Sequence, residues 1–104
     1  MRRDEPVEQP EPADTIDAIV RAVPGVADLH SGMFGEIATH LPGRRVVGIR
    51  IGEGVIDVHI TAWAGTPVRE TAAAVRSAVA TEFPGVAVDV TVEAVAMAPS
   101  TGAD

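Results

Sequence analysis

Residues 45–63, RVVGIRIGEGVIDVHITAW, decide the fold of this sequence. Two runs rich in β-branched residues, 45–51 and 55–63, flank the short stretch Gly52-Glu53-Gly54. β-Branched side chains pack well on a pleated surface, and glycine supplies the backbone angles of a tight turn. The pattern therefore predicts an antiparallel β-hairpin, in which apolar residues alternate along both strands and make one side of the sheet apolar.

The register of this hairpin follows from the requirement that facing residues share one side of the sheet. Ile51 opposite Ile56 and Ile51 opposite Gly54 both meet this requirement. We favour the first register because it places Arg50 across from Asp57 on the polar side of the sheet. An opposite-charge pair of this kind contributes ~0.2–1 kcal/mol.

An amphipathic helix is predicted on each side of the hairpin. Upstream, Asp14 or Thr15 can cap a helix with a 3.6-residue apolar period, which Pro24-Gly25 ends. Downstream, Thr66 is the expected cap and Pro67 the expected first helical residue, where the missing N–H of proline costs nothing. The expected buried stripes are Ile16, Ile19, Val20 and Val23 in the first helix and Val68, Ala72, Val75, Val79 and Phe83 in the second.

Two further segments complete the expected domain. Residues 26–31 predict a short extended segment, and the alternation of valine with mostly polar residues over 86–93 predicts a last strand that is buried on one side. Residues 32–43 carry no clear pattern. The predicted fold class is α+β, a small, open and mostly antiparallel sheet with two helices packed on one face.

The composition limits both the extent and the chemistry of the domain. We expect one domain over residues 15–95 between disordered tails at 1–14 and 96–104, whose compositions cannot repay the entropy of ordering. The 104 residues include 8 basic and 15 acidic side chains, for a net charge of -7, with neither Cys nor Lys. Disulfides, thiolate metal sites and Schiff-base chemistry are therefore excluded. The sequence shows neither a signal peptide nor a membrane span, so we expect a cytoplasmic location.

Packing both helices on one side of the sheet leaves the opposite side open, and this side is the first candidate for function. Trp63 is the single Trp of the chain. Indole side chains are enriched at binding hot spots, but Trp63 can equally well only cover the end of a strand. The alternation assigns to the open side Arg50, Asp57, His59, Thr61, Trp63, Asp89, Thr91 and Glu93.

Metal binding and catalysis find little support in the sequence. A nitrogen-and-carboxylate set would have to consist of His30, Glu36, His40 and His59, and Glu36 shares a face with His40 only if residues 36–41 are helical. No serine lies in a nucleophile motif. Paired carboxylates on a shallow, solvated sheet lack the burial that raises a catalytic pKa. We therefore expect no metal, no cofactor and no enzymatic activity.

The stretch Gly32-Met33-Phe34-Gly35 matches the G-x-x-G of KH domains, whose loop clamps a nucleic-acid backbone. A KH-like nucleic-acid-binding module is therefore the alternative function. The two central residues are apolar here rather than basic, and the net charge of -7 disfavours nucleic acid. We expect Met33 and Phe34 at the edge of the core, or, if they are exposed, as a docking knob.

Arg44-Arg45 is the basic doublet of the expected domain. Surface arginines usually contribute little, so we favour a solvated strand entrance over a patch that Arg50 would complete against an acidic partner. The open side of the sheet and the loop over 32–45 are where we expect a partner or a second copy to bind. The predicted interface residues are Met33, Phe34, Arg44, Arg45, Arg50, Asp57, His59, Trp63 and Thr91.

Several short stretches of mostly glycine and aliphatic residues form an anchor pattern over about residues 15–95. They are Ile16 with Ile19, Pro24-Gly25-Val26, Gly48-Ile49-Arg50-Ile51, Val58, Gly65-Thr66-Pro67-Val68 with Thr71-Ala72, Val75-Arg76 and Val79, and the closing strand 86–95 with Asp89. In this pattern and in the order of its elements, the chain resembles the alkaline shock protein family of bacterial envelope stress proteins. It departs from the family pattern in Leu41-Pro42-Gly43-Arg44-Arg45, in Trp63-Ala64-Gly65 and in lacking Lys.

The resemblance implies an interaction or scaffold role in the envelope stress response, without catalytic or cofactor-binding residues. It also implies self-association and, as in some members, attachment to the membrane through a small integral membrane protein. We accordingly expect a protein partner and a homo-oligomer. The negative charge argues against nucleic acid as a partner, and the lack of an apolar span argues against direct insertion into the membrane.

Overall fold

Residues 11–98 are described by the computed structural model, so the predictions for tail residues 1–10 and 99–104 lie outside the described part. The described chain begins with a helix and continues with five strands, a second helix and a last strand. The elements are α1 (Pro12–Arg21), β1 (Val26–Leu29), β2 (Ala38–Leu41), β3 (Arg44–Val47), β4 (Ile49–Gly52), β5 (Val55–Trp63), α2 (Val68–Glu82) and β6 (Ala87–Ala96).

Strand β5 is the centre of the main sheet. β6 pairs with it in parallel along its whole length, from Val55 opposite Ala87 to Trp63 opposite Ala96. On the other edge of β5, β4 pairs antiparallel with the first half and β1 antiparallel with the second half. β2 and β3 form a separate antiparallel hairpin. The predicted α+β class with a mostly antiparallel open sheet is confirmed.

The core lies on one side of this main sheet. Both helices cover that side, as predicted, because each carries one apolar stripe that must be buried. Fully burying an aliphatic side chain contributes roughly 1.5–3 kcal/mol, so these contacts dominate the stability of the fold. The buried residues at the centre of the core are Ile16 and Val20 of α1, Val75 and Val79 of α2, and Ile49, Ile56, Val58 and Ile60 of the sheet.

The hairpin between β4 and β5 has the register that the opposite-charge pair favours. Arg50 pairs with Asp57, and Ile51 pairs with Ile56. Ile56 is buried in the core, whereas Ile51 is 41% exposed because it lies near the end of an edge strand. The sequence pattern therefore predicted the pairing correctly and overestimated the burial at the hairpin end.

Gly48 divides the predicted strand 45–51 into β3 and β4. Its φ angle is +85°, in the left-handed region that favours glycine. A Cβ atom at this position would lie 2.7 Å from Leu29 Cβ and 3.0 Å from the His59 carbonyl oxygen. Glycine thus lets the chain leave the main sheet at the point where β1 and β4 approach β5 together, and β3 pairs with β2 instead.

Both helices begin at residues other than those expected. α1 has Glu11 as its N-cap and Pro12 in its first turn, so residues 12–14 belong to the helix and not to the tail. α2 has Pro67 at its N-cap. Thr66, the expected cap, donates its hydroxyl to the Trp63 carbonyl at 2.6 Å instead.

The buried stripe of α2 also differs from the predicted one. It consists of Thr71, Val75 and Val79, while Val68 is 39% exposed in the first turn. Thr71 is buried against Gly25, where a Cβ atom would lie 2.5 Å from the Thr71 hydroxyl oxygen. Apolar periodicity does not predict this position, because the buried residue is a small threonine that packs on a glycine.

Candidate protein-interaction surface

The side of the main sheet opposite α1 and α2, called the open face below, holds the eight side chains that the alternation assigned to it. Each of them is exposed or half-buried within the described residues 11–98. The pairing of β4, β5 and β6 arranges most of them in rows. From one end to the other, the rows are Arg50, Asp57 and Asp89, then His59 and Thr91, then Thr61 and Ala94, then Trp63 and Ala96.

The first row of the open face carries uncompensated negative charge. Asp57 lies directly opposite Asp89 in the parallel pairing, and like charges in this arrangement destabilise a sheet. Arg50 is next to Asp57 on the other side, but its Nη2 atom donates to the Glu36 carbonyl oxygen at 3.3 Å. Among residues 11–98, neither Asp57 nor Asp89 forms a salt bridge. A cationic side chain from another molecule would relieve this repulsion.

The second row contains a pair that is already formed. The β5–β6 register shifts between Ile60 and Thr61, which makes Glu93 the extra residue of a β-bulge in β6. Its Oε2 atom lies 2.6 Å from His59 Nδ1, and the two side chains are only 19% and 17% exposed. The bulge therefore holds the imidazole of His59 in one orientation in the middle of the open face.

Trp63 closes the open face at its far end and is half-buried. Its backbone is fixed on both sides, because its N–H donates to the Gly25 carbonyl at 2.9 Å and its carbonyl accepts the Thr66 hydroxyl. The residue beside it on β6 is Ala96, and the row before contains Ala94. An indole next to small residues gives the open face an apolar end, opposite the end that carries Asp57 and Asp89.

Met33 and Phe34 stand at the tip of an ordered β-turn between β1 and β2. The Gly35 N–H donates to the Gly32 carbonyl at 3.1 Å, and the stem is closed by a hydrogen bond from Ile37 to Ser31. Met33 is 79% exposed and Phe34 is 83% exposed. The expectation that they tuck into the edge of the core is wrong, and the exposed pair matches the docking-knob alternative. The turn lacks the basic groups that contact a nucleic-acid backbone.

The arginines of the predicted interface are engaged in separate contacts. Arg44 binds both carboxylate oxygens of Asp14, at 3.0 and 2.7 Å, and thereby connects β3 to α1. The hydrogen bond from Arg44 lowers the pKa of the Asp14 carboxyl. Arg45 is paired with His40 across the β2–β3 hairpin. Arg44 is therefore a link within the fold, which explains its position without a partner.

The four residues weighed as metal ligands do not converge. His40 lies in strand β2, so the helical spacing with Glu36 does not exist. His30 Nδ1 accepts the Gly32 N–H at 2.9 Å, and His59 is held by Glu93. No group of three histidine or acidic side chains within residues 11–98 could hold a metal ion. Of the helices in that same range, none has the length and apolar character to cross a membrane.

A shallow groove that the sequence did not reveal lies at the start of α2. Its volume is about 290 Å³. It lies on the helix side of the sheet and therefore does not belong to the open face. Its small residues and prolines offer few groups for chemistry, and Glu70 is its single ionisable side chain. The groove is lined by Pro24, Gly25, Thr66, Pro67, Glu70, Thr71 and Ala74.

Comparison with known proteins gives a likeness in fold. The solved structure of a MamM CTD variant matches this chain with a TM-score of 0.51 at 18% sequence identity, over 86% of this chain and 94% of the other. No protein-family model and no curated protein matches the sequence. The likeness supports the α+β architecture, and a shared architecture does not by itself imply a shared function.

Proposed function

We propose that this chain is a non-catalytic protein-interaction domain that binds a protein partner through its open face and that also self-associates. The observation that carries the proposal is the Asp57–Asp89 row, which forms no salt bridge among residues 11–98, on the sheet side opposite both helices, with Trp63 at the far end of that side. Carboxylates without a salt-bridge partner and a partly exposed Trp63 on one face are features of protein-binding surfaces, where aromatic residues act as anchors and polar groups lie around the rim.

The chemistry of the open face suits recognition better than catalysis. Its acidic residues lie on a flat sheet surface, where water competes with any proton transfer and no wall shields a reacting group. The His59–Glu93 pair is the single histidine–carboxylate pair that the described residues bring within 4 Å of each other. The groove at the start of α2, which is the concave site described above, lies on the other side of the sheet and contains no histidine.

The charge of the open face indicates the partner. Asp57, Asp89 and Glu93 bring three carboxylates, against the single guanidinium of Arg50. Two copies placed face to face would oppose their acidic rows, which costs free energy. The open face therefore fits a protein segment with Lys or Arg opposite the Asp57–Asp89 row and an apolar residue opposite Trp63.

Membership of the alkaline shock protein family is part of the proposal, and with it a scaffold role in the envelope stress response. The observed order of elements supports it, and so do the anchor glycines. Gly25, Gly48 and Gly65 all have positive φ angles, so these matches have a structural reason. Attachment to the membrane through a small integral membrane protein, as in some members, is proposed from the same resemblance, and the cytoplasmic location is proposed from the sequence pattern given above.

Affinity capture from bacterial extract tests binding through the open face. The immobilised chain is compared with Trp63→Ala and Asp57→Asn, and with Glu82→Gln as a matched control at the exposed end of α2. Proteins that bind the open face should be lost from the first two variants and kept by the control. Arg45→Glu shows whether the loop over 32–45 contributes. An identical set of captured proteins on every variant would contradict the proposal.

Fractionation of the same cells tests the proposed membrane attachment separately. A tagged copy of the chain should sediment in part with the membranes, and the Trp63→Ala variant should shift to the supernatant. If the chain stays wholly in the supernatant while capture on the open face succeeds, the interaction role stands and membrane attachment does not.

A further inference from the structure

Strand β6 is a ten-residue edge strand, and within the described chain it pairs with β5 alone. It contains neither Pro nor Lys, two of the residues that natural edge strands use to avoid pairing with other chains, and its protective features are Asp89, Glu93 and the β-bulge. The Ala87 N–H donates to the Gly54 carbonyl at 3.0 Å, so Ala87 faces β5. The backbone groups of successive residues point in alternate directions along a strand, so this contact fixes the direction of the N–H and C=O groups of each residue in the regular part of β6.

Alternate residues of β6 point their hydrogen-bonding groups away from β5. Because Ala87 faces β5, the N–H and C=O groups of Val88, Val90 and Val92 face outward, up to the bulge at Glu93. Arg76 of α2 confirms this direction, since its Nε atom reaches around the edge to the Val88 carbonyl at 3.3 Å. Val90 and Val92 have no such contact among residues 11–98.

The side chains of β6 are also arranged for a neighbouring strand. On the helix side, Val88 is buried while Val90 and Val92 are only half-buried, so the core reaches the edge and is incompletely covered there. On the open face, Asp89 and Thr91 are exposed. A strand added at this edge would bury apolar side chains on one side and keep polar ones on the other.

Charge and pairing length select one register for a second copy of β6, since a register centred on Val88 would pair only residues 87–89 of the strand. With Val90 opposite Val90 of the copy, Val88 faces Val92 on the apolar side, and Asp89 faces Thr91 on the open face. The neighbouring registers place Asp89 opposite Asp89 or opposite Glu93, which brings two carboxylates together. Registers centred further along the strand run into the bulge at Glu93.

We infer that a second copy of this chain binds at the outer edge of β6, pairing antiparallel with Val90 on the two-fold axis. The two main sheets then become one continuous sheet, and the contact closes on itself because both copies use the same surface. The Val88 carbonyl has two lone pairs, so it can accept the new strand while keeping Arg76. The inference rests on the self-association proposed above and is independent of the open face.

Single cysteine variants test this register directly, because the chain has no Cys of its own. Residues that face each other in such a pair have Cα atoms about 5.5 Å apart, which a disulfide can span. Val90→Cys should form a disulfide-linked dimer on mild oxidation, at least about tenfold faster than Thr91→Cys, whose diagonal separation is about 7–8 Å. Equal rates for the two variants would overturn the register.

A charge variant tests the same edge without a covalent bond. Thr91→Asp sets a carboxylate opposite Asp89 of the copy at two symmetric places and should raise the dimer dissociation constant about tenfold or more. Thr91→Asn, of the same shape without the charge, should stay within about twofold of wild type. If wild type self-associates and Thr91→Asp does so equally well, the β6 edge is not the contact between the copies, while the proposed self-association stands. If wild type is a monomer at every concentration, both fail.

Discussion

The carboxylate of Glu93 lies 2.6 Å from Nδ1 of His59, although the register sets His59 opposite Thr91. The contact lies at the β-bulge in β6, where Glu93 is the extra residue and has no partner on β5. The same bulge ends the regular part of the β6 edge. One irregularity therefore both fixes the imidazole at the centre of the open face and limits the strand length that a second copy can pair with.

The His59–Glu93 contact should contribute measurably to stability, because both side chains are more than four-fifths buried. Glu93→Ala should lower the free energy of unfolding by about 1–2 kcal/mol, since the loss leaves a largely buried ring nitrogen without its partner. Glu93→Gln keeps a hydrogen-bond acceptor in place and should lower the free energy of unfolding by less. Urea denaturation of the two variants measures the difference, and equal stability of Glu93→Ala and wild type would show that the contact contributes nothing.

Gly48 should be the least replaceable glycine among residues 11–98, because its Cβ atom would also meet two backbone atoms, the His30 nitrogen and the His59 carbonyl oxygen, at 3.0 Å. Gly48→Ala combines a strained positive φ with a Cβ atom 2.7 Å from Leu29 Cβ, and should cost roughly 3 kcal/mol or more. Gly43→Ala is the matched control, because its φ is also positive at +77° while its Cβ would meet nothing within 4 Å. The control should cost only about 1 kcal/mol by thermal or urea unfolding. Similar losses of unfolding free energy in both variants would mean that the positive φ angle, and not the close contact with Leu29, determines the cost.

The Asp14–Arg44 contact should make stability depend on pH in the acid range. Because Arg44 holds the pKa of Asp14 below its usual 3.8 in the folded state, the contact stabilises fully above that pH. Its contribution is lost as the pH falls through the lower folded pKa. Arg44→Ala should therefore raise the pKa of Asp14, followed by NMR of the carboxyl carbon. Both groups are exposed, so added salt should reduce the shift, and an unchanged titration curve would contradict the contact.

The Met33–Phe34 tip should be dispensable for folding. Phe34→Ser exposes no new apolar surface, because Phe34 is already 83% exposed, and should change the free energy of unfolding by less than about 0.5 kcal/mol. Ile37→Ala, in the buried stem of the same turn, should cost about 2–5 kcal/mol. Chemical denaturation measures the free energy of unfolding of both variants. A large loss for Phe34→Ser would mean that the tip packs against the fold and is not available for docking.

Much of the fold could be predicted from local patterns. The β4–β5 register followed from one parity rule and one charge pair, Arg50 with Asp57, because both act between neighbouring strands. The placement of both helices on one side followed from their single apolar stripes. The open face followed from the same alternation, and every residue assigned to it lies there.

The remaining features depend on contacts that are distant in sequence. Gly48 breaks a run that looks like one strand, and the cause is the approach of β1, almost twenty positions earlier in the chain. β2, the partner of β3, lacked a pattern because it is only four residues long. Thr66 looked like a helix cap by type, but the Trp63 carbonyl competes for its hydroxyl.

The site was predicted in position but not in detail. Parity placed His59 and Glu93 on one side of the sheet, but their contact depends on a bulge that no local pattern signals. The exposure of Met33 and Phe34 depends on a turn whose stem is closed by Ser31 and Ile37. The role of Arg44 depends on Asp14, thirty positions away, which the sequence assigned to a tail.

Sedimentation equilibrium of the full chain, over a wide range of concentrations, tests the central claim of a self-associating interaction domain. The apparent mass should rise with concentration from the 10.8 kDa of one chain towards twice that value. The Thr91→Asp variant should show the same rise only at higher concentrations. A mass of one chain throughout the whole range would contradict self-association.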